Sequence, residues 1–258
     1  MSLMFFAMKS ILTIAFIFYS LISHAQFNIV EHFGNLCASG ESIFIKNQKI
    51  HIAGSTCIDI GNNQFYTAGF TARYDLQGNL EYYGQVGDTI RDYEAEEIIL
   101  DDQDNRYIFG DFQRDSLGVS TNSGIFIQKR NSNDQILWTI EEQDSSSNVS
   151  YFLLDAEIVD DKMVIVGGII PGGNIVPGVP EQDILYIVFD TSGTLLTKMS
   201  IGDNLSQEKG HEIIRYDQNR LAIGAVKNYP GAQSKNWVLK IDLQANILDE
   251  YISNSSLR

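Results

Sequence analysis

The chain has 258 residues, is 44% hydrophobic and carries a formal charge of −15. That apolar content suffices for a core and is too high for a disordered chain. The acidity repels phosphate backbones, which argues against a nucleic-acid partner, and it favours solubility.

In chain order, the first element is a targeting segment. Lys9 precedes the apolar run ILTIAFIFYSLI, Ile11 to Ile22, which ends in SHAQ. A short positive region, an apolar core and small residues predict a signal peptide over residues 1–25, cleaved after Ala25. The run is short for a membrane span. The expectation is export to a secreted, periplasmic or cell-surface location, without stable membrane insertion after cleavage. An uncleaved anchor is the alternative. Cys37 and Cys57 then lie in an oxidising compartment, where a disulfide between them is expected; two separate buried thiols are the alternative.

From residue 26 onward three signals recur together. A turn sequence places Asp75, Asn131, Asp190 and Asp242 at equivalent positions, spaced 56, 59 and 52 apart. Strand-like runs end in Gly54, Gly110, Gly167 and Gly224, spaced 56, 57 and 57. Glu41, Glu97, Glu157 and Glu212 each lead a short apolar strand ahead of these glycines. One period held by three signals over four copies means an array of supersecondary units.

Each unit reads as four strands, a to d. In the second copy they are EEIIL, RYIFGDF, GIFIQKR and ILWTIEE. Val, Ile, Phe and Tyr fill the strands, and Gly, Asn, Asp and Ser fill the breaks. Four antiparallel strands per repeat is the pattern of a propeller blade, so the fold class is all-β, a β-propeller with four complete repeats. The blades are expected at about 35–88, 89–144, 145–203 and 204–254. The Asp-x-x-Gly piece is the c–d hairpin turn. Asp134 and Ala245 stand where Gly is expected, so those two turns are expected to differ locally. Asp101, Asp102 and Asp104 read as a solvated a–b turn rather than a calcium loop, because the later Gly and Glu of an EF-hand are missing.

The runs QFYTAGFTARYDLQGNLEYYGQVGD and KNWVLKIDLQANILDEY resemble the repeats of secreted bacterial β-propellers. The resemblance covers roughly residues 26 to 251 and implies the fold rather than an activity. The WD dipeptide of WD40 repeats is absent. QFNIVEHFG, Gln26 to Gly34, reads as an orphan d strand ahead of the first full repeat. It suggests an incomplete ring or a fragment of a longer surface propeller.

Function is expected on the face formed by the long b–c and d–a loops, since loops carry binding while the scaffold holds them. Glu41, Glu97, Glu157 and Glu212 are expected at the inner strand ends on that face, as a partial ring for a polar ligand or a cation such as calcium. His211, Tyr151 and Tyr229 join them as candidates, with core packing as the competing reading for the aromatics. No catalytic residue is assigned. The first reading is a non-catalytic binding or scaffold module for a glycan or protein. The alternative is a polysaccharide hydrolase or lyase using carboxylates on that face. Two carboxylates converging with perturbed pKa values would favour the enzyme.

Overall fold

The computed structural model describes residues 38–61, 64–88, 91–113, 123–143, 149–171, 182–203, 206–228 and 234–253. The expected signal peptide (1–25), the expected orphan strand (26–34), Cys37 and Tyr229 lie outside the described residues. No helix among the described residues is long and apolar enough to cross a membrane.

The described residues form four four-stranded antiparallel sheets. The first holds β1 (Ala38–Lys46), β2 (Lys49–Gly61), β3 (Gln64–Asp75) and β4 (Leu80–Val86). The second holds β5 (Asp92–Leu100), β6 (Arg106–Gln113), β7 (Ser123–Arg130) and β8 (Ile136–Glu142). The third holds β9 (Val149–Val159), β10 (Lys162–Pro171), β11 (Asp183–Asp190) and β12 (Leu195–Ile201). The fourth holds β13 (Gln207–Arg215), β14 (Arg220–Asn228), β15 (Lys235–Asp242) and β16 (Ile247–Ile252). Every sheet runs in simple sequence order from its first strand to its fourth. This is the blade architecture of a β-propeller.

Successive sheets stack face to face, and each junction buries an apolar layer. Ala53 and Phe44 of the first sheet meet Ile98, Ile108 and Phe126 of the second. Tyr107, Phe109 and Ile127 of the second meet Leu153, Ile165 and Ile187 of the third. Val164, Val166 and Tyr186 of the third meet Ile213, Ile223 and Leu239 of the fourth. A sheet covered on both faces needs strands that are apolar throughout, and β11, DILYIVFD, is buried at every position between its ends. The outer strand β8 alternates between half-buried and exposed instead. Ile43 shows what the stacking does. It is 66% exposed, while Ile98, Ala156 and Ile213, in the same register of the other inner strands, are 0%, 5% and 3% exposed.

The c–d turns explain the recurring Asp. Asp75 Oδ1 accepts the backbone N–H groups of Gln77 and Asn79, at 2.9 and 2.8 Å. Asp190 holds Ser192 and Thr194, and Asp242 holds Gln244 and Asn246, in the same way. Asn131 does so for Asn133 and Gln135. The fourth residue takes a left-handed conformation in every copy, with φ of 84° at Gly78, 68° at Asp134, 96° at Gly193 and 61° at Ala245. The local difference expected at Asp134 and Ala245 is therefore absent. The side-chain cap fixes the turn, and the two non-glycine residues bear the strain. Asp101 builds the same turn between β5 and β6, capping Gln103 and Asn105 with Asp104 at φ 60°.

Each inner strand carries a bulge one residue long. The unpaired residues are Glu41, Glu96, Leu154 and His211. A bulge re-aims side chains, and here it does so midway along the first strand of each sheet, which lies against the first strand of the next.

Candidate functional site

The bulges decide which side chains are equivalent, and the four candidate glutamates are not. Glu41 is itself the bulged residue of β1. Glu97 and Glu212 follow the bulges of β5 and β13 directly, and Glu157 lies further along β9. None opens its strand, because the strands begin three or more residues earlier. The position after the bulge is held by Ser42, Glu97, Asp155 and Glu212, and the bulge itself by Glu41, Glu96, Leu154 and His211. The apparent column of four glutamates is therefore split: Glu97 and Glu212 share the position after the bulge, Glu41 sits on the bulge, and Glu157 belongs to neither row.

The first row stitches sheets together. Ser42 donates to Glu97 Oε1 at 2.5 Å and accepts the Ile98 N–H at 3.3 Å. Asp155 Oδ2 accepts the Ile213 N–H at 2.7 Å, while its Oδ1 caps Ala156 at 2.8 Å. These are the same contact at two junctions. Burial raises the pKa of Glu97, Asp155 and Glu157; the charges of Asp155 and Glu157 add to it at Glu97, that of Glu212 at Asp155 and that of Asp155 at Glu157.

The second row meets a carboxylate cluster that the sequence reading missed. Glu94, Glu96 and Asp111 bring one oxygen each to within 4.8 Å of one another. β5 presents the two glutamates on either side of Ala95, and Asp111 follows Gly110 on β6, near the end that leads into the long b–c loop. Asp111 Oδ2 accepts the Leu153 N–H at 3.3 Å, tying the cluster to the third sheet. Burial, reinforced by Glu96 and Glu94, pushes the Asp111 pKa well above the usual carboxylate range. Burial and the charges of Glu41, Glu94 and Glu97 bring Glu96 up to about 7, with Lys209 acting in the opposite sense. Glu94 is raised by burial, Asp92 and Glu41. Near neutral pH such a cluster holds protons as well as charge, so it both donates and accepts hydrogen bonds. The same oxygens suit a hard cation. The signals were in the sequence, in Glu94 and Glu96 alternating around Ala95 in DYEAEEIIL and in an Asp interrupting the apolar RYIFGDF.

His211 is exposed, with its pKa lowered by burial of part of the ring and by Lys209. Tyr151 is 1% exposed and belongs to the core between the second and third sheets, so the core reading holds for it. Cys57 lies half-buried in β2.

No protein-family model matches the chain, and neither does any curated protein. Among solved structures, an ulvan lyase of a polysaccharide lyase family, bound to -[GlcA(1-4)Rha3S]-, is similar at 14% identity with a TM-score of 0.55, over 83% of this chain. The chain spans 58% of that protein's length. An endo-arabinase from Bacteroides thetaiotaomicron aligns at 11% identity and a TM-score of 0.42, over 83% of this chain and 75% of its own. At such identity the likeness to the lyase speaks for the fold alone, and it agrees with the four-sheet propeller architecture.

Proposed function

We propose that the chain is an exported carbohydrate-binding propeller that holds a saccharide at the long-loop end of its inner strands. The observation that carries this reading is the convergence of Glu94, Glu96 and Asp111 at that end, with one oxygen of each within 4.8 Å of the others. Neighbouring sugar hydroxyls each need an acceptor and a donor, and a partly protonated carboxylate cluster supplies both. Calcium bridging the same oxygens to a diol would serve equally and would displace the protons. The saccharide bound by the fold neighbour supports the ligand class by analogy of fold.

A second reading is favoured by one specific feature. Glu96, with its pKa near 7 and other carboxylates within 4.8 Å, has what a general acid or base needs. The chain is then a hydrolase or lyase on the same ligand. Both readings are tested by a panel of soluble polysaccharides, scored for binding and for new chain ends, with and without calcium. Binding without cleavage supports the module. Cleavage lost in Glu96→Gln supports the enzyme. Neither binding nor cleavage across neutral, uronic and sulfated glycans overturns both.

A further inference from the structure

At the opposite end, where the short a–b and c–d turns lie, the first and second sheets enclose a cavity of about 270 Å³. In a chain of net charge −15 its walls are cationic. Lys46, Lys49, Arg73 and Arg106 line it, against Glu81 and Asp104, with His51 and Ser132 completing the wall. Asp134 stands behind, paired with Arg106 and with Arg73 at 3.4 Å.

Two wall groups are buried with hydrogen-bonding capacity unused. Arg106 is 1% exposed, and its Nη1 has no partner although Nη2 donates to Asn131 O at 3.1 Å. His51 is 5% exposed, and its Nδ1 also has no partner. A buried guanidinium with an unpaired N–H is costly, and its natural complement is an anion with several acceptor oxygens. The half-buried lysines line the same cavity, each held at a carboxylate, Lys46 to Asp104 at 3.0 Å and Lys49 to Glu81. The ring of His51 is kept neutral by its burial and by Arg106 and Arg73, against the weaker pull of Asp104 and Asp134.

We propose that this cavity is an oxyanion site, taking a sulfate- or phosphate-type group that accepts from Arg106 Nη1 and His51 and is flanked by Lys46 and Lys49. The group is either a free ion or a sulfate ester on a sugar. Its arrival offsets the positive field around His51, so the imidazole takes up a proton and binding tightens as the pH falls towards 5.

The test is an NMR titration of the His51 ring protons, assigned with His51→Gln because the chain has four histidines. The probes are sodium sulfate, inorganic phosphate and glucose 6-sulfate, with glucose and sodium chloride at matched ionic strength as controls. Saturable shifts with sulfate, stronger at pH 5 than at pH 7, are expected. Lys46→Gln with Lys49→Gln should weaken binding about tenfold while thermal unfolding stays near wild type. Arg106→Lys, checked for folding by the same spectra, should abolish it. Tighter binding of glucose 6-sulfate than of sulfate assigns the group to a sugar; tighter sulfate or phosphate binding assigns it to a free ion. A His51 signal that ignores all three oxyanions, or follows chloride equally, overturns the proposal.

Discussion

The glycine that closes each second strand gives a prediction that separates register from composition. An ideal Cβ on Gly110 would lie 1.9 Å from the Glu94 carbonyl oxygen and 2.6 Å from the Phe126 ring. On Gly54 and Gly167 it would lie 2.0 and 1.9 Å from the carbonyls of Ser39 and Phe152. Gly224 is different, since its nearest neighbour would be Glu212 Cβ at an ordinary 3.9 Å. The pairing explains why. Gly54, Gly110 and Gly167 pair with Gly40, Ala95 and Leu153 beside the bulge, but in the fourth sheet that pair is Gly210 with Ala225. Gly110→Ala and Gly167→Ala must therefore push an inner strand away by about 1 Å or more, which costs roughly 2–4 kcal/mol of stability. That lowers the melting temperature by roughly 5–15 °C in a domain of this size. Gly224→Ala meets no clash and removes unfolded-state freedom, so it should be neutral or stabilise by about 0.5–1 kcal/mol. Urea unfolding followed by fluorescence measures all three. Equal losses at Gly110 and Gly224 would refute the bulge register.

Two further outcomes follow from the charges and one from the cysteines. Glu96 binds its proton more tightly folded than unfolded, so its contribution is present below about pH 4.5 and is lost as the pH rises through about 7; Glu96→Gln should raise stability at pH 8 by roughly 1 kcal/mol after allowance for solvent screening, and hardly change it at pH 4. His51 is opposite in sign: its pKa is lowered to about 4, so stability falls as the pH drops from 6.5 towards 4, and His51→Gln should flatten that limb of a melting-temperature profile. Intact mass measured with and without reductant should show Cys37 and Cys57 gaining two hydrogens on reduction, and an unchanged mass would count against the disulfide.

The blades were legible because three signals repeated at one period. Turn residues and strand composition are local properties, and a repeat averages away their ambiguity. The equivalences inside the blade were less legible. A bulge inserts a residue without any required side chain, so Glu41, Glu96, Leu154 and His211 share a position but no chemistry. Aligning on glutamate therefore put Glu157 in a column to which Asp155 belongs, and aligning on glycine chose Gly224 over Ala225. The Glu94, Glu96 and Asp111 cluster needed two strands in register, as did the cavity between the first two sheets. Asp134 looked like a defective turn residue, but its carboxylate meets the buried Arg106. That contact accounts for an Asp where glycine would be less strained.

The most direct measurement is calorimetric titration of the tightest-binding panel saccharide against wild type, Glu96→Gln with Asp111→Asn, and Lys46→Gln with Lys49→Gln. Binding at the long-loop carboxylates predicts that the first double variant loses affinity at least about tenfold, while the second retains that binding. Unchanged affinity in the carboxylate variant, with its folding intact, would contradict the account.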